Sequence, residues 1–165
     1  MLSSYFPPKQ QSSLSSDVEL LRVLAFEMAD YVFALPISLI FKVIDCPPIT
    51  KSHDSDLGIA DFDGRTVVVV NLAQKLSTQN STNESWQKRF LILTQTRQKE
   101  LCGIPIDFPP ALIEIPKKNI QPLPLSARQI KALSIATHVV TLYKSEHSVN
   151  FLMGKEEVKI FLIGI

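Results

Sequence analysis

The stretch Leu57 to Leu76, LGIADFDGRTVVVVNLAQKL, decides how the chain is read. Asp63-Gly64 stands between two apolar segments, and Asp-Gly is a strong hairpin signal because both residues tolerate the positive φ of a type I′ turn. After the turn come Thr66, Val67, Val68, Val69 and Val70, a β-branched run that is stiff at χ1 and packs well on a pleated surface. An unbroken run of this kind is apolar on both faces and predicts a strand buried on two sides. Asn71 then stands where it can cap a short helical turn over Leu72 to Leu76.

The same punctuation recurs on both sides of this hairpin. Upstream, Leu20 to Met28 and Tyr31 to Ile37 are separated by Ala29-Asp30 and predict a second hairpin, with Pro36 closing its outgoing strand. Ile37 to Ile44 reads as a turn followed by a strand, and Cys46-Pro47-Pro48 ends it because the residue before a proline is pushed to extended geometry. Downstream, Phe90 to Thr96 and Glu100 to Asp107 predict a third hairpin with Arg97 to Lys99 at its tip. Phe108-Pro109-Pro110 breaks that pattern, and Leu112 to Ile115 is a short apolar segment closed by Pro116. Lys117 and Lys118 open an exposed turn, and Pro116, Pro122 and Pro124 keep Ile120 to Leu125 extended without a ladder of its own. The apolar run around Ile135, Val139 and Val140 comes next, and Val158 to Ile163 is the last strand.

Polar segments join these pieces. Ser77 to Ser85 carries no apolar residue to hold it down and predicts a mobile loop, and Lys51 to Asp56 a solvated one. Met1 to Asp17, rich in Ser, Gln and Pro, cannot assemble a core. It reads as a mobile arm in which Leu2, Tyr5 and Phe6 would serve as anchors only if a partner supplied a groove.

Composition narrows the function classes. A chain of 165 residues with 45% hydrophobic and 20% charged residues is globular and long enough for one domain or two tightly associated subdomains. Its net charge of +1 provides no overall field to concentrate polyanions, so charge implies neither nucleic acid nor an acidic membrane. The apolar runs are too short to span a bilayer, and the N-terminus lacks a basic region followed by an apolar core; the expectation is a cytoplasmic protein, neither exported nor inserted. The two cysteines, Cys46 and Cys102, are far apart and outside any metal-like spacing, which favours free thiols in a reducing compartment.

Catalytic chemistry finds little material. His53 and His147 lie in polar segments, and His138 lies inside a strand pattern where a structural, hydrogen-bonded imidazole is the simpler reading. No Gly-x-Ser-x-Gly elbow and no phosphate-cradling glycine loop occurs among five glycines. Asp54, Asp56, Asp61 and Asp63 with His53 offer hard ligands, yet an EF-hand alignment on Asp61, Asp63 and Gly64 places Ile59 and Val70 where carboxylates are required. No metal and no cofactor is expected. Trp86, Lys88, Arg89 and Phe90 form the nearest approach to a basic, aromatic strip of the sort an oligonucleotide-binding barrel uses, and a solvated strand entrance with one anchoring aromatic explains it better.

The order of Gly58, apolar residues, Asp63-Gly64, a β-branched run and Asn71-Leu72 resembles the central signature of CheW-like domains, the adaptor modules of bacterial chemosensory arrays. Three positions depart from it: Asp63 stands where the family usually has arginine, Val68 where it has proline, and Asn71 where it has aspartate. YVFALPISLIFKVI, from Tyr31, resembles the family's opening, and IPID, ending at Asp107, its third hairpin, so the resemblance runs from Leu20 to Ile163. The pattern alone says only short strands with many turns. The resemblance implies an all-β fold of two closely packed five-stranded SH3-like barrels with short helical turns, with residues 1–18 a flexible arm and 19–165 one CheW-like domain. It also implies a non-enzymatic adaptor coupling the cytoplasmic domain of a chemoreceptor to a CheA-type histidine kinase, recruited to receptor arrays at the inner membrane. Alternatives of other kinds are a CheW-like scaffold without kinase coupling and an oligonucleotide-binding barrel. The residues expected to meet a partner are Ile59, Phe62, Val67 and Val69 on the central hairpin, Asp63 and Gly64 at its turn, and Lys42. The family commonly bears a glutamate near Lys42 and an arginine at Asp63, so the two charges look exchanged, and a swapped ion pair between them is a further expectation.

Overall fold

A computed structural model describes residues 17–53, 56–77, 86–143 and 156–164. The expected arm as far as residue 16, the 77–85 loop beyond Ser77, and His147 fall outside these. In chain order the strands are β1 (Leu20–Met28), β2 (Tyr31–Pro36), β3 (Ile40–Asp45), β4 (Thr50–Lys51), β5 (Leu57–Phe62), β6 (Arg65–Val70), β7 (Phe90–Gln95), β8 (Leu101–Ile106), β9 (Ala111–Pro116), β10 (Gln121–Pro122), β11 (His138–Tyr143) and β12 (Glu157–Leu162). Two short helices, α1 (Leu72–Leu76) and α2 (Leu125–Arg128), and three single 3-10 turns complete the set.

The strands form two sheets, ordered β10-β11-β12-β2-β1-β9 and β3-β7-β8-β6-β5-β4. The fold is all-β, with each sheet wrapping its own small core. Each sheet has six strands where five were expected, because one two-residue strand joins each: β4 pairs with β5, and β10 with β11. The second of these corrects the reading of Ile120 to Leu125 as ladderless. Gln121 and Pro122 pair with Val139 and His138, and Pro122 is tolerated because β10 is an edge.

Hairpin turns follow local backbone chemistry. Ala29 and Asp30 both take positive φ (51° and 65°), as do Asp63 and Gly64 (49° and 73°), so both two-residue loops have the left-handed backbone that matches strand twist. Register then follows from the turn: Phe62 opposes Arg65, Ala60 opposes Val67, and Ile59 opposes Val68.

Three apolar clusters hold the molecule together. One fills the first sheet, around Val23, Ile115, Leu142, Ile160 and Leu162. A second fills the other, around Val67, Val69, Trp86, Leu91, Leu93 and Leu101. The third lies between the sheets and joins Phe26, Phe33 and Phe161 of the first to Ile92 and Ile106 of the second, with Leu76 of α1 wedged in. Its aromatic rings meet at centroid distances near 6 Å (Phe26–Phe33 6.2 Å, Phe33–Phe161 6.3 Å, Tyr31–Phe161 5.6 Å), within the range where aromatic pairs attract beyond their buried area.

The β-branched run departs from expectation. β6 is an interior strand, flanked by β5 and by β8, with which it runs parallel, yet its faces differ. Val67 and Val69 are wholly buried, whereas Val68 is 40% exposed. The face carrying Val68 is left open, so the run has a wet side despite its uniform hydrophobicity.

Candidate functional site

The outer face of the β5–β6 hairpin is the candidate site. Alternation along β5 puts Leu57, Ile59 and Asp61 outward and Gly58 and Ala60 inward. Ile59 is 53% exposed, and its cross-strand partner Val68 extends the apolar surface onto β6. The register carries the row on to Cys102 of β8 and Thr94 of β7, both half-buried. Gly58 lets this hairpin lie close to its neighbours: a Cβ there would stand 2.8 Å from Ile49 Cγ2, 2.9 Å from Trp86 Cζ3 and 3.1 Å from the Thr50 carbonyl.

A second group lies at the end of the hairpin. Phe41 of β3 packs edge-on to Phe62, with centroids 6.3 Å apart. The Lys42 ammonium lies 5.6 Å from the Phe62 ring centre, and the Arg65 guanidinium 6.0 Å from that of Phe41, distances at which ring quadrupoles attract cations. Arg65 also donates a hydrogen bond to the Lys99 carbonyl at 2.9 Å, tying the central hairpin to the tip of the β7–β8 hairpin. The turn is pinned by Asp61, whose Oδ1 accepts from the Gly64 N–H at 3.3 Å.

The seven expected partner-binding residues therefore separate. Ile59 lies on the open outer face. Lys42 and Phe62 belong to the cation–aromatic group, and Asp63 and Gly64 form the exposed turn. Val67 and Val69 are core and present nothing to a partner, because the two-residue turn places both on the inward face. The swapped ion pair does not form. Among the described residues the ion pairs are Arg22–Glu114, Lys88–Asp107 and Lys117–Glu19; Asp63 lies beyond the last ladder pair, and Lys42 meets Phe62 instead. Val68, Phe41 and Arg65 were not anticipated. Pairing outward from Asp63-Gly64 would have found Val68 opposite Ile59, whereas the meeting of Phe41 with Phe62 and Arg65 is tertiary and leaves no local signal.

Other expected features fall into place around the hairpin. Asn71 is 2% exposed and caps α1, its Oδ1 accepting from the Gln74 N–H at 3.1 Å, while its Nδ2 is buried without a partner. Trp86 is buried in the second-sheet core, Lys88 pairs with Asp107 at 3.1 Å, and Arg89 lies 5.4 Å from the Phe90 ring centre, so no basic, aromatic strip faces solvent there. His138 Nδ1 is 2.9 Å from Thr137 Oγ1, in keeping with a structural role. Cys46 and Cys102 are free and half-buried. Burial pushes both thiols above their ordinary value, opposed at Cys46 by a hydrogen bond from the Lys88 backbone and reinforced at Cys102 by the Glu100 charge.

The comparison with family models matches the CheW-like domain over residues 22–144, which takes in every strand from β2 to β11 and nearly all of β1. The chain belongs to the CheW-like domain family. A solved structure of similar fold is the scaffolding protein TtCheW from Thermoanaerobacter tengcongensis, with 17% sequence identity, a TM-score of 0.65, and coverage of 89% of this chain and 86% of that one. At that identity the likeness is one of fold. The search of curated proteins returned no match. The CheW-like family is one of scaffolds in chemotaxis signalling, and the β-rich architecture here is that of such a scaffold. No helix among the described residues is long and apolar enough to cross a membrane.

Proposed function

We propose that this CheW-like chain is a non-catalytic adaptor that couples the cytoplasmic domain of a chemoreceptor to a CheA-type histidine kinase, working in the cytoplasm at receptor arrays without a cofactor. The unit that does so is residues 19–165 acting as one domain. The observation that carries the reading is the family match over residues 22–144. The open apolar pair Ile59 and Val68 supports the reading: apolar side chains left exposed on a rigid sheet supply affinity, and charges around them supply partner choice. Lys42 and Arg65 provide cations on the rings of Phe62 and Phe41 at the end of the hairpin, and Asp63 puts a carboxylate at the turn where the family usually carries an arginine. A rim charge of altered sign chiefly rejects wrong partners and changes association rate, so the exchange at Asp63 fits a dedicated kinase or receptor.

The test is a pull-down from soluble and membrane extracts of the source organism with wild type, Asp63→Arg and Ile59→Asp. Recovery of a CheA-type kinase and a chemoreceptor by wild type, with loss by Ile59→Asp, supports the reading. Recovery of neither, from cells shown to express both, overturns it in favour of a CheW-like scaffold without kinase coupling.

A further inference from the structure

A different end of the molecule carries a notch that the adaptor site does not use. In the first sheet, Ala25 pairs with Ala34 on one side and Ala111 on the other. That row of three methyl groups crosses β2, β1 and β9, whereas the next row inward is Pro36, Val23 and Ile113. The alanines leave the barrel short of volume toward the β1–β2 turn, and an apolar notch of about 210 Å³ opens there between Ala25, Val32 and Ala111. One wall is Phe108-Pro109, with Phe108 62% exposed. The proline fixes its own φ and restricts Phe108, which limits how far the wall collapses inward.

The rim of the notch is acidic. Glu27 lines it, and the adjoining cleft of about 450 Å³ brings Asp30 and Asp107 to the same edge. Lys88 neutralises Asp107 at 3.1 Å. Glu27 and Asp30 are exposed and enter no ion pair among the described residues. Two uncompensated carboxylates thus flank an apolar recess the size of one large side chain. In a chain with a net charge of only +1, this is a local field of defined sign, which favours an approaching cation and disfavours an anion.

We propose that the notch at the β1–β2 turn docks a basic peptide segment of a partner protein, with a leucine or phenylalanine seated on Ala25 and Ala111 and flanking lysine or arginine side chains paired with Glu27 and Asp30. The occupant follows from complementarity of both kinds: an acidic ligand would meet like charge at Glu27 and Asp30, and a purely polar one would leave the alanine floor uncovered. The site shares no residue with the Ile59–Val68 strip. It stands whether or not kinase coupling does.

The experiment uses the full chain and three labelled peptides, Ac-KKLFKK-amide, Ac-KKSSKK-amide and Ac-EELFEE-amide, titrated by fluorescence anisotropy at low salt, with amide chemical shifts recorded in parallel. Saturable binding of the first, at least about tenfold tighter than either control and weakening as salt rises, is expected, with shifts at Ala25, Glu27, Val32, Phe108 and Ala111. The double variant Glu27→Gln, Asp30→Asn should weaken it several-fold, and asparagine keeps the left-handed backbone that position 30 requires. Ala111→Leu, which fills the notch at a half-buried position, should abolish the advantage of the apolar anchor. Equal binding of Ac-KKLFKK-amide and Ac-KKSSKK-amide overturns the proposal in favour of mere charge attraction, as does the absence of saturation or unchanged binding in the carboxylate double variant.

Discussion

Val68 and Val69 are adjacent, chemically identical and on opposite faces of one strand, so truncating each to alanine separates stability from recognition. Val69 has no exposed surface and packs with Val67, Leu91 and Leu93. Losing two buried methyl groups at about 0.8 kcal/mol each, with a further contribution from the cavity that the surroundings only partly fill, costs about 2–3 kcal/mol for Val69→Ala. Val68 already leaves 40% of its surface in water, and the same truncation should cost under about 1 kcal/mol. In urea, where the denaturant slope for small proteins is roughly 1–3 kcal/mol/M, the Val69 variant should unfold about 1 M or more earlier than wild type and the Val68 variant almost with it. Kinase or receptor capture should reverse that order: Val68→Asp weakens it while leaving the urea midpoint nearly in place, and Val69→Ala leaves it intact below its own unfolding transition. Equal losses of stability in the two alanine variants would refute the assignment of faces, and undiminished capture by Val68→Asp would remove Val68 from the contact.

Further outcomes follow from positions described above. Gly58→Ala should lower stability by about 1–3 kcal/mol, because its new methyl meets Ile49 and Trp86 side chains and the Thr50 carbonyl; the chain has one tryptophan, so altered Trp86 fluorescence would report the displacement directly. Free thiols held above their ordinary value keep their protons longer in the folded chain than in the unfolded one. Their contribution to stability is therefore complete below the unfolded thiol value and declines as pH rises through and above it. Cys46→Ser, Cys102→Ser should flatten the alkaline limb of a stability–pH profile, and alkylation of the native protein by iodoacetamide at pH 8 should be slower than that of the urea-unfolded chain.

Much of this architecture was legible because turns and prolines are local. Asp63-Gly64 names its own turn type, Asn71 its cap, and Pro36 and Pro116 their strand ends, whereas Ala29-Asp30 marks a break without announcing the left-handed backbone that its alanine adopts. Membership of a sheet was not local. The parallel pairing of β12 with β2, Ile160 beside Val32 and Leu162 beside Ala34, joins segments that carry no mark of each other. Nor does α2, which Leu125 to Arg128 form straight after Pro124; three prolines over nine residues argued for extended chain, and a proline just ahead of a helix gives the same signal as one that prevents it. At the candidate site, Ile59 was legible from alternation about the turn, which puts Phe62 on the other face, whereas Val67 and Val69 looked equally available because a run of four valines hides its own period. Which valines face water is decided by the register that the two-residue turn imposes, which turns Val67 and Val69 onto the second sheet's own core.

The two sheets are nested along the chain. Every strand of the second sheet comes from one uninterrupted segment, from Ile40 to Ile106, while the first sheet is split into β1–β2 before it and β9–β12 after it. A chain emerging from the ribosome thus holds all of the inner barrel before it holds the closing strand of the outer one. Pairings between distant segments are slow because loop closure must precede any gain from contact. Until β12 arrives, β2 has a bare edge, and Phe33 lacks Phe161, one of the rings it packs against. The hairpin that carries Ile59 and Val68 belongs to the half that can finish early, while the half that frames the acidic notch waits for the last strand to be made.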